Sequence, residues 1–242
     1  MPRFFTEEFS ADKTYAVVSG EDAAHISRVL RMKEGDSITL CDRNATDYMG
    51  IIRSADSGRV EVEITESRPS AGEPSIQAVL FQALPKGDKM DLIVQKAVEL
   101  GIFRVEPVLT GRCVSRPDPK SWARKRERLQ KIAWEAAKQC GRGIIPQVGE
   151  LLTLEEALSR MAGYDLPLFF YEQSRRPFAP LLGGQWRSAA LLVGSEGGFD
   201  PEEAEQAKRA GIPDVSLGSR ILRCETAPIA ALSALMFQSG NL

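Results

Sequence analysis

Across residues 1–70 the apolar positions recur every second residue over short spans, and a period of two predicts strands. Val60, Val62 and Ile64 interleave with Glu61, Glu63 and Thr65, just after a turn signalled by Asp56-Ser57-Gly58. Ser37–Cys41 and Tyr48–Arg53 read the same way. One helix interrupts them. Glu21 and Asp22 follow Ser19-Gly20, while Arg28, Arg31 and Lys33 precede Gly35. Acid at the opening and base at the close suit the helix dipole, and the glycine suits a left-handed cap. Short strands around an inserted helix predict a small β-barrel. The breaker-rich stretch Ser67 to Pro74 predicts a linker, giving domains at 1–70 and 74–242.

From Ser75 onward strands and helices alternate. Ile76–Leu84 is strand-like, and Asp88 opens a helix whose Leu92, Ile93, Ala97, Val98 and Leu100 keep helical spacing up to Gly101. Arg104–Leu109 is the next strand and Trp122–Cys140 the next helix. Thr153 with Glu156 forms a capping-box pattern for a helix that stops near Gly163. Strands over Leu166–Tyr171 and Ala189–Val193 follow. Asp200, Pro201 and Glu203 mark another helix start, closed by Gly211. A short strand at Val215–Leu217 precedes a last helix from about Thr226. Repeated βα units predict an α/β domain with a mostly parallel sheet and helices on both faces.

Composition narrows the class. Of 242 residues, 43% are hydrophobic and 26% charged, which excludes a disordered or fibrous chain. The longest mostly apolar run, Ile229–Phe237, is too short to span a bilayer, so no membrane partner is expected. The opening residues carry no basic-then-apolar export pattern, and a cytoplasmic location is the default expectation. Cys41, Cys113, Cys140 and Cys224 lie far apart, which fits reduced thiols and predicts no metal site. The net charge of −2 argues weakly against nucleic acid, but its distribution does not. Residues 71–150 carry 14 basic against 9 acidic side chains, and Arg112–Arg142 alone holds ten Lys/Arg. A local field of that kind reaches roughly 8–10 Å and can hold a polyanion on one face.

Ligands of parallel α/β sheets bind at the carboxyl ends of the strands. Two loops there are unusual: Val193-Gly-Ser-Glu-Gly-Gly198 and Leu217-Gly-Ser-Arg-Ile-Leu-Arg-Cys-Glu-Thr226. Glycine lets a ligand approach bare main chain, although the same residues also serve plain tight turns. Neither loop is a dinucleotide fingerprint or a Walker loop, which disfavours a nicotinamide-dependent oxidoreductase. Glu196 would repel a pyrophosphate but suits a cation.

These loops follow Lys86-Gly-Asp-Lys-Met90, Gln95-Lys-Ala-Val-Glu-Leu-Gly101 and Glu135-Ala-Ala-Lys-Gln-Cys-Gly-Arg142 in order. Together the five segments resemble the RsmE family of 16S ribosomal RNA methyltransferases, within the SPOUT superfamily. His25-Ile-Ser-Arg-Val-Leu-Arg-Met-Lys-Glu-Gly35 is similar to that family's N-terminal, PUA-like RNA-binding barrel. The resemblance covers nearly the whole chain. It implies an enzyme that methylates N3 of one uridine in 16S rRNA of the small ribosomal subunit, with S-adenosylmethionine as donor and S-adenosylhomocysteine as product. It also implies a C-terminal domain tied in a deep trefoil knot, and a homodimer. By the same resemblance Glu172, Val193, Gly194, Glu196, Gly197, Gly198, Leu217, Gly218, Ile221, Leu222 and Thr226 would hold the donor. Ser195 and Ser219 depart from the family, which commonly has proline at both places.

Uracil N3 bears a proton, so transfer needs an in-line approach and help for negative charge developing on the base. Arg223 and Arg220 suit that role, or else pair with Glu225 or Glu196. Glu172 would face the sulfonium or pair with Arg175. For RNA, the helix over 122–140 sets Arg124, Arg128, Lys131 and Lys138 on one face, with Trp122, Leu129, Ile132 and Ala136 opposite. Arg142 extends that basic stretch. Arg3, His25, Arg28 and Arg31 are the barrel's candidates, His25 reading as an RNA contact or plain helix packing rather than a base. Two other functions stay open: a SPOUT methyltransferase of tRNA or another RNA, and a non-catalytic RNA-binding ribosome-assembly protein.

Overall fold

In the computed structural model, which describes residues 1–242, the chain forms two units: Met1–Glu73 with Ala137–Ile145, and Pro74–Ala136 with Pro146–Leu242. The first holds β1 (Arg3–Phe5), β2 (Glu8–Phe9), β3 (Tyr15–Ser19), α1 (Gly20–Ala24), β4 (Ser37–Cys41), β5 (Thr46–Ala55) and β6 (Arg59–Pro69). These six strands make one sheet in the order β1-β4-β5-β6-β3-β2. Its two edges meet at Thr6, whose amide donates to the Cys41 carbonyl on β4 and whose hydroxyl donates to the Val17 carbonyl on β3. The curled sheet encloses Phe4, Val18, Ile38, Leu40, Ile52, Val60 and Val62, the inward set of the alternation. Asp56 builds the turn before β6 by accepting from the amides of Gly58 and Arg59.

Two expectations are corrected here. The helix after Gly20 is short: α1 passes into a π-helical turn, His25–Val29, and Arg31 takes the left-handed backbone (φ 54°). The turn closes on Ile26, whose carbonyl accepts from the Met32 amide, so Arg31 and Lys33 lie outside the helix and Gly35 serves the loop before β4. The linker is also shorter than read. Ser67, Arg68 and Pro69 continue β6, paired with Tyr48, Asp47 and Thr46. Their side chains are exposed, so no apolar alternation marks them as strand.

The second unit holds β7 (Gln77–Ala83), α2 (Lys89–Glu99), β8 (Arg104–Leu109), α3 (Pro119–Cys140, to Ala136 in this unit), β9 (Gln147–Val148) and β10 (Leu152–Thr153). It continues with α4 (Leu154–Met161), β11 (Leu166–Phe170), β12 (Ser188–Val193), α5 (Pro201–Arg209), β13 (Asp214–Val215) and α6 (Thr226–Gln238). The sheet order is β10-β8-β7-β12-β11-β13, with β9 also beside β8, and every pairing is parallel. Ala189 to Val193 are all buried, as expected of a parallel strand covered on both faces. Val79, Phe81, Val108, Phe169, Leu192 and Phe199 fill one side of it.

The caps decide where helices begin. Thr153 and Glu156 complete a reciprocal capping box on α4. At α5 the Asp200 amide donates to Glu203 Oε2 at 2.8 Å. Asp118 starts α3 three residues before the apolar spacing does, accepting from the amides of Lys120 and Ser121. Asp88 precedes α2 but makes no capping bond, and stands 3.6 Å from Arg128 instead. No helix is long and apolar enough to cross a membrane.

Candidate active site

Three loops at the carboxyl ends of β11, β12 and β13 enclose a cavity of about 520 Å³. Its walls are Phe170–Glu172, Val193–Gly198 and Val215–Cys224, closed by Ala227. Of the residues that the resemblance gives to the donor, Glu172, Val193, Gly194, Glu196, Gly197, Gly198, Leu217, Gly218, Ile221 and Leu222 line it, as do Arg220 and Arg223. Thr226 does not. It is the exposed first residue of α6, and Ala227 takes the wall position.

The glycines are explained by what surrounds them. Gly198 has φ +65°, and a Cβ there would stand 2.8 Å from the carboxyl carbon of Glu172. At Gly197 a Cβ would meet Cβ of Arg112 at 2.8 Å, and at Gly194 the ring of Phe199 at 3.0 Å. Phe199 is buried and packs edge-on against Phe169, with centroids 4.5 Å apart, so it anchors the loop in the core. The Gly198 amide donates to the Ser195 carbonyl at 3.0 Å, which turns the loop without proline.

Three residues that the sequence reading missed hold these loops. Arg112 donates from Nε to Asp200 Oδ1 (2.6 Å) and from its terminal nitrogen to the Gly197 carbonyl (2.9 Å). Gln82, fully buried at the end of β7, donates to the Gly194 carbonyl at 3.1 Å. A polar side chain inside the run Val79–Leu84 was the available signal, since buried amides need partners. Lys89 reaches Glu196 Oε1 at 2.8 Å and Glu225 Oε2 at 3.7 Å. Burial alone would raise the Glu196 carboxyl, but the hydrogen bonds from Lys89 and backbone amides outweigh it and hold the group below its ordinary range. The Cys224 thiol is pushed up to about 12, first by burial and then by its bond to Glu225, so it stays neutral and unreactive near pH 7.

Lys89 takes both carboxylates at ion-pair distance, Arg223 acts on Glu225 only at longer range, and the guanidiniums of Arg220 and Arg223 are exposed at the cavity. Glu172 does not pair with Arg175; it lies in the field of Arg112. The arrangement fits a flat, cationic nucleoside: apolar walls from Phe170, Val193 and Leu217, bare main chain at the glycines, and two carboxylates toward a positive charge. No group of three His, Cys, Asp or Glu side chains stands together to hold a metal.

The basic candidates separate. Arg124, Arg128 and Lys131 are exposed on α3, Arg128 with Asp91 at 2.5 Å. Arg28 and Arg31 are exposed without ion pairs. Arg142 and Arg3 are structural, a correction to their reading as RNA contacts, while half-buried His25 shows the packing that was its other reading. Arg142 is 3% exposed and binds both carboxylate oxygens of Glu73 (2.9 and 2.8 Å). Arg3 is committed to Asp47 and the Arg142 carbonyl. His25 packs edge-on against Phe4, with ring centroids 5.8 Å apart. Lys138 lies over the Phe4 ring and pairs with Asp22.

Comparisons with known proteins place the whole chain in a family. The profile of the RNA methyltransferase domain matches residues 72–236, and that of the RNA methyltransferase PUA domain matches residues 18–65. The Bacillus subtilis ribosomal RNA small subunit methyltransferase E is 34% identical, over 100% of this chain and 98% of the relative. The Neisseria gonorrhoeae ribosomal RNA small subunit methyltransferase E, solved bound to S-adenosyl methionine, is 31% identical with a TM-score of 0.86, covering 98% and 97% of the two chains. A Legionella pneumophila methyltransferase solved with SAM bound is 30% identical with a TM-score of 0.83, over 97% and 96%.

Proposed function

Since the chain belongs to the ribosomal RNA small subunit methyltransferase E family, we propose that it methylates N3 of a single uridine of 16S rRNA, the one that family numbers 1498. S-adenosylmethionine is the donor, and it supplies a methyl on a sulfonium whose departure leaves a neutral thioether. The observation that carries this reading is the cavity between two glycine loops with Arg220 and Arg223 unpaired at its edge. The N3–CH3 bond forms as the S–CH3 bond breaks, and the N3 proton goes to solvent. Main chain of 193–198 and 217–222 binds and orients the donor. Glu172 and Glu196 favour its charge. Arg223, with Arg220 beside it, stabilises the negative charge that grows on the uracil.

In our reading Arg124, Arg128 and Lys131 of the C-terminal unit contact RNA phosphates, Arg28 and Arg31 do so on the N-terminal unit, and the N-terminal unit is the RNA-binding PUA-like module. The C-terminal domain is knotted. In support, β13 pairs outside β11, yet the chain returns through 216–225 to a helix that packs on β7 and β12. The enzyme is a cytoplasmic homodimer. What supports a dimer is α6, apolar almost all round with Phe237 73% exposed, a pattern expected of a helix covered by a second copy. The test is mass mapping of small-subunit rRNA from a deletion strain. Loss of N3-methyluridine, restored by wild type but not by Arg223→Ala, is expected. An intact modification in the deletion removes the substrate, and full rescue by Arg223→Ala removes that side chain's role.

A further inference from the structure

Lys89 is the first residue of α2, where the helix dipole disfavours a cation. Its ammonium stands between Glu196, on the β12 loop, and Glu225, on the β13 loop, with the neutral Cys224 sulfur 3.9 Å away. Glu196 also accepts the Lys86 amide at 3.2 Å. One lysine against two carboxylates leaves this corner at a net charge of −1, and Glu196 and Cys224 form part of the cavity wall. The remaining charges lining the cavity are Glu172, Arg220 and Arg223. Donor and product differ at the reacting centre by one positive charge, so a change in wall charge acts on one and not the other. We infer that Lys89 is a positioning and specificity residue that limits how strongly the pocket prefers the sulfonium donor over the thioether product.

This inference rests on the donor assigned above. Lys89 and Glu225 stand outside the cavity wall, where solvent screens their charge, so removing either charge changes the affinity for a cation relative to a neutral molecule several-fold rather than by orders of magnitude. Lys89→Met therefore raises the product-to-donor ratio of dissociation constants several-fold, Lys89→Arg leaves it at the wild-type value, and Glu225→Gln lowers it several-fold. The assay is calorimetry with S-adenosylmethionine and S-adenosylhomocysteine on the full-length protein, repeated at high salt, where both shifts shrink. Glu225→Gln keeps the test open should Lys89→Met fail to fold. Opposite shifts of the ratio support the inference. A ratio unchanged in both variants, with both ligands binding wild type, overturns it alone. Wild type binding neither ligand overturns the donor assignment and this inference with it.

Discussion

Gly198 and Gly211 both adopt positive φ, +65° and +74°, yet a Cβ at Gly211 would meet nothing within 4 Å while one at Gly198 would run into Glu172. Substituting alanine at each separates backbone strain from damage to the pocket. A left-handed alanine costs about 1–2 kcal/mol at either position. In a chain of this length that lowers the melting temperature by roughly 2–8 °C. Only Gly198→Ala must also push the Glu172 carboxylate out of the cavity wall, because the new methyl would otherwise stand 2.8 Å from the carboxyl carbon. Losing one carboxylate beside a cation and distorting the loop that carries Ser195 and Glu196 should weaken S-adenosylmethionine by about tenfold or more, or about 1.4 kcal/mol. Thermal melts and calorimetry on both variants give the answer. Gly211→Ala should lose stability and keep affinity, whereas Gly198→Ala should lose both. Equal, wild-type affinity in the two variants would refute the claim that this loop forms the donor pocket.

Three further outcomes follow from the same geometry. Glu73→Gln leaves the buried Arg142 guanidinium without its counter-charge and should cost about 3–5 kcal/mol, read as a lower urea midpoint. The folded Cys224 thiol titrates at about 12 against an ordinary value of 9, so it stabilises the fold below pH 9 and that contribution is lost as pH rises from 9 to 12; Cys224→Ala should flatten the fall in melting temperature over that window, and iodoacetamide at pH 8 should leave Cys224 unmodified in the native protein by mass spectrometry. Replacing Arg124 and Lys131 by Glu should weaken RNA binding and reduce the slope of log affinity against log salt by about 1 for each phosphate no longer neutralised, and an unchanged slope would remove α3 from the RNA face.

Much of the architecture was readable in the residues because its signals are local. The strand at 104–109, the start of the last helix at Thr226 and the capping box at Thr153 depend on neighbours within a few positions, and each stands as the pattern implied. The early end of the helix after Gly20 is a local π-turn that the charge pattern does not encode, and the other errors come from partners distant in sequence. β6 runs on to Pro69 because β5 pairs with it, not because its own residues alternate. Arg142 looks like a surface cation until Glu73, nearly seventy residues earlier, is found to bind it. In the cavity, the glycine loops were legible by their composition, whereas Arg112, Gln82 and Lys89 were not. Each of those three acts on a loop more than eighty residues away, and although the apolar run around Gln82 says that it needs a partner, nothing near any of the three says which one.

Hydrogen exchange of the full-length protein with and without S-adenosylmethionine probes the main-chain cradle directly. Slowed exchange at the amides of 194–198 and 217–223, greater than in any other segment, is the predicted result. No slowing there, or slowing confined to another part of the chain, would contradict it.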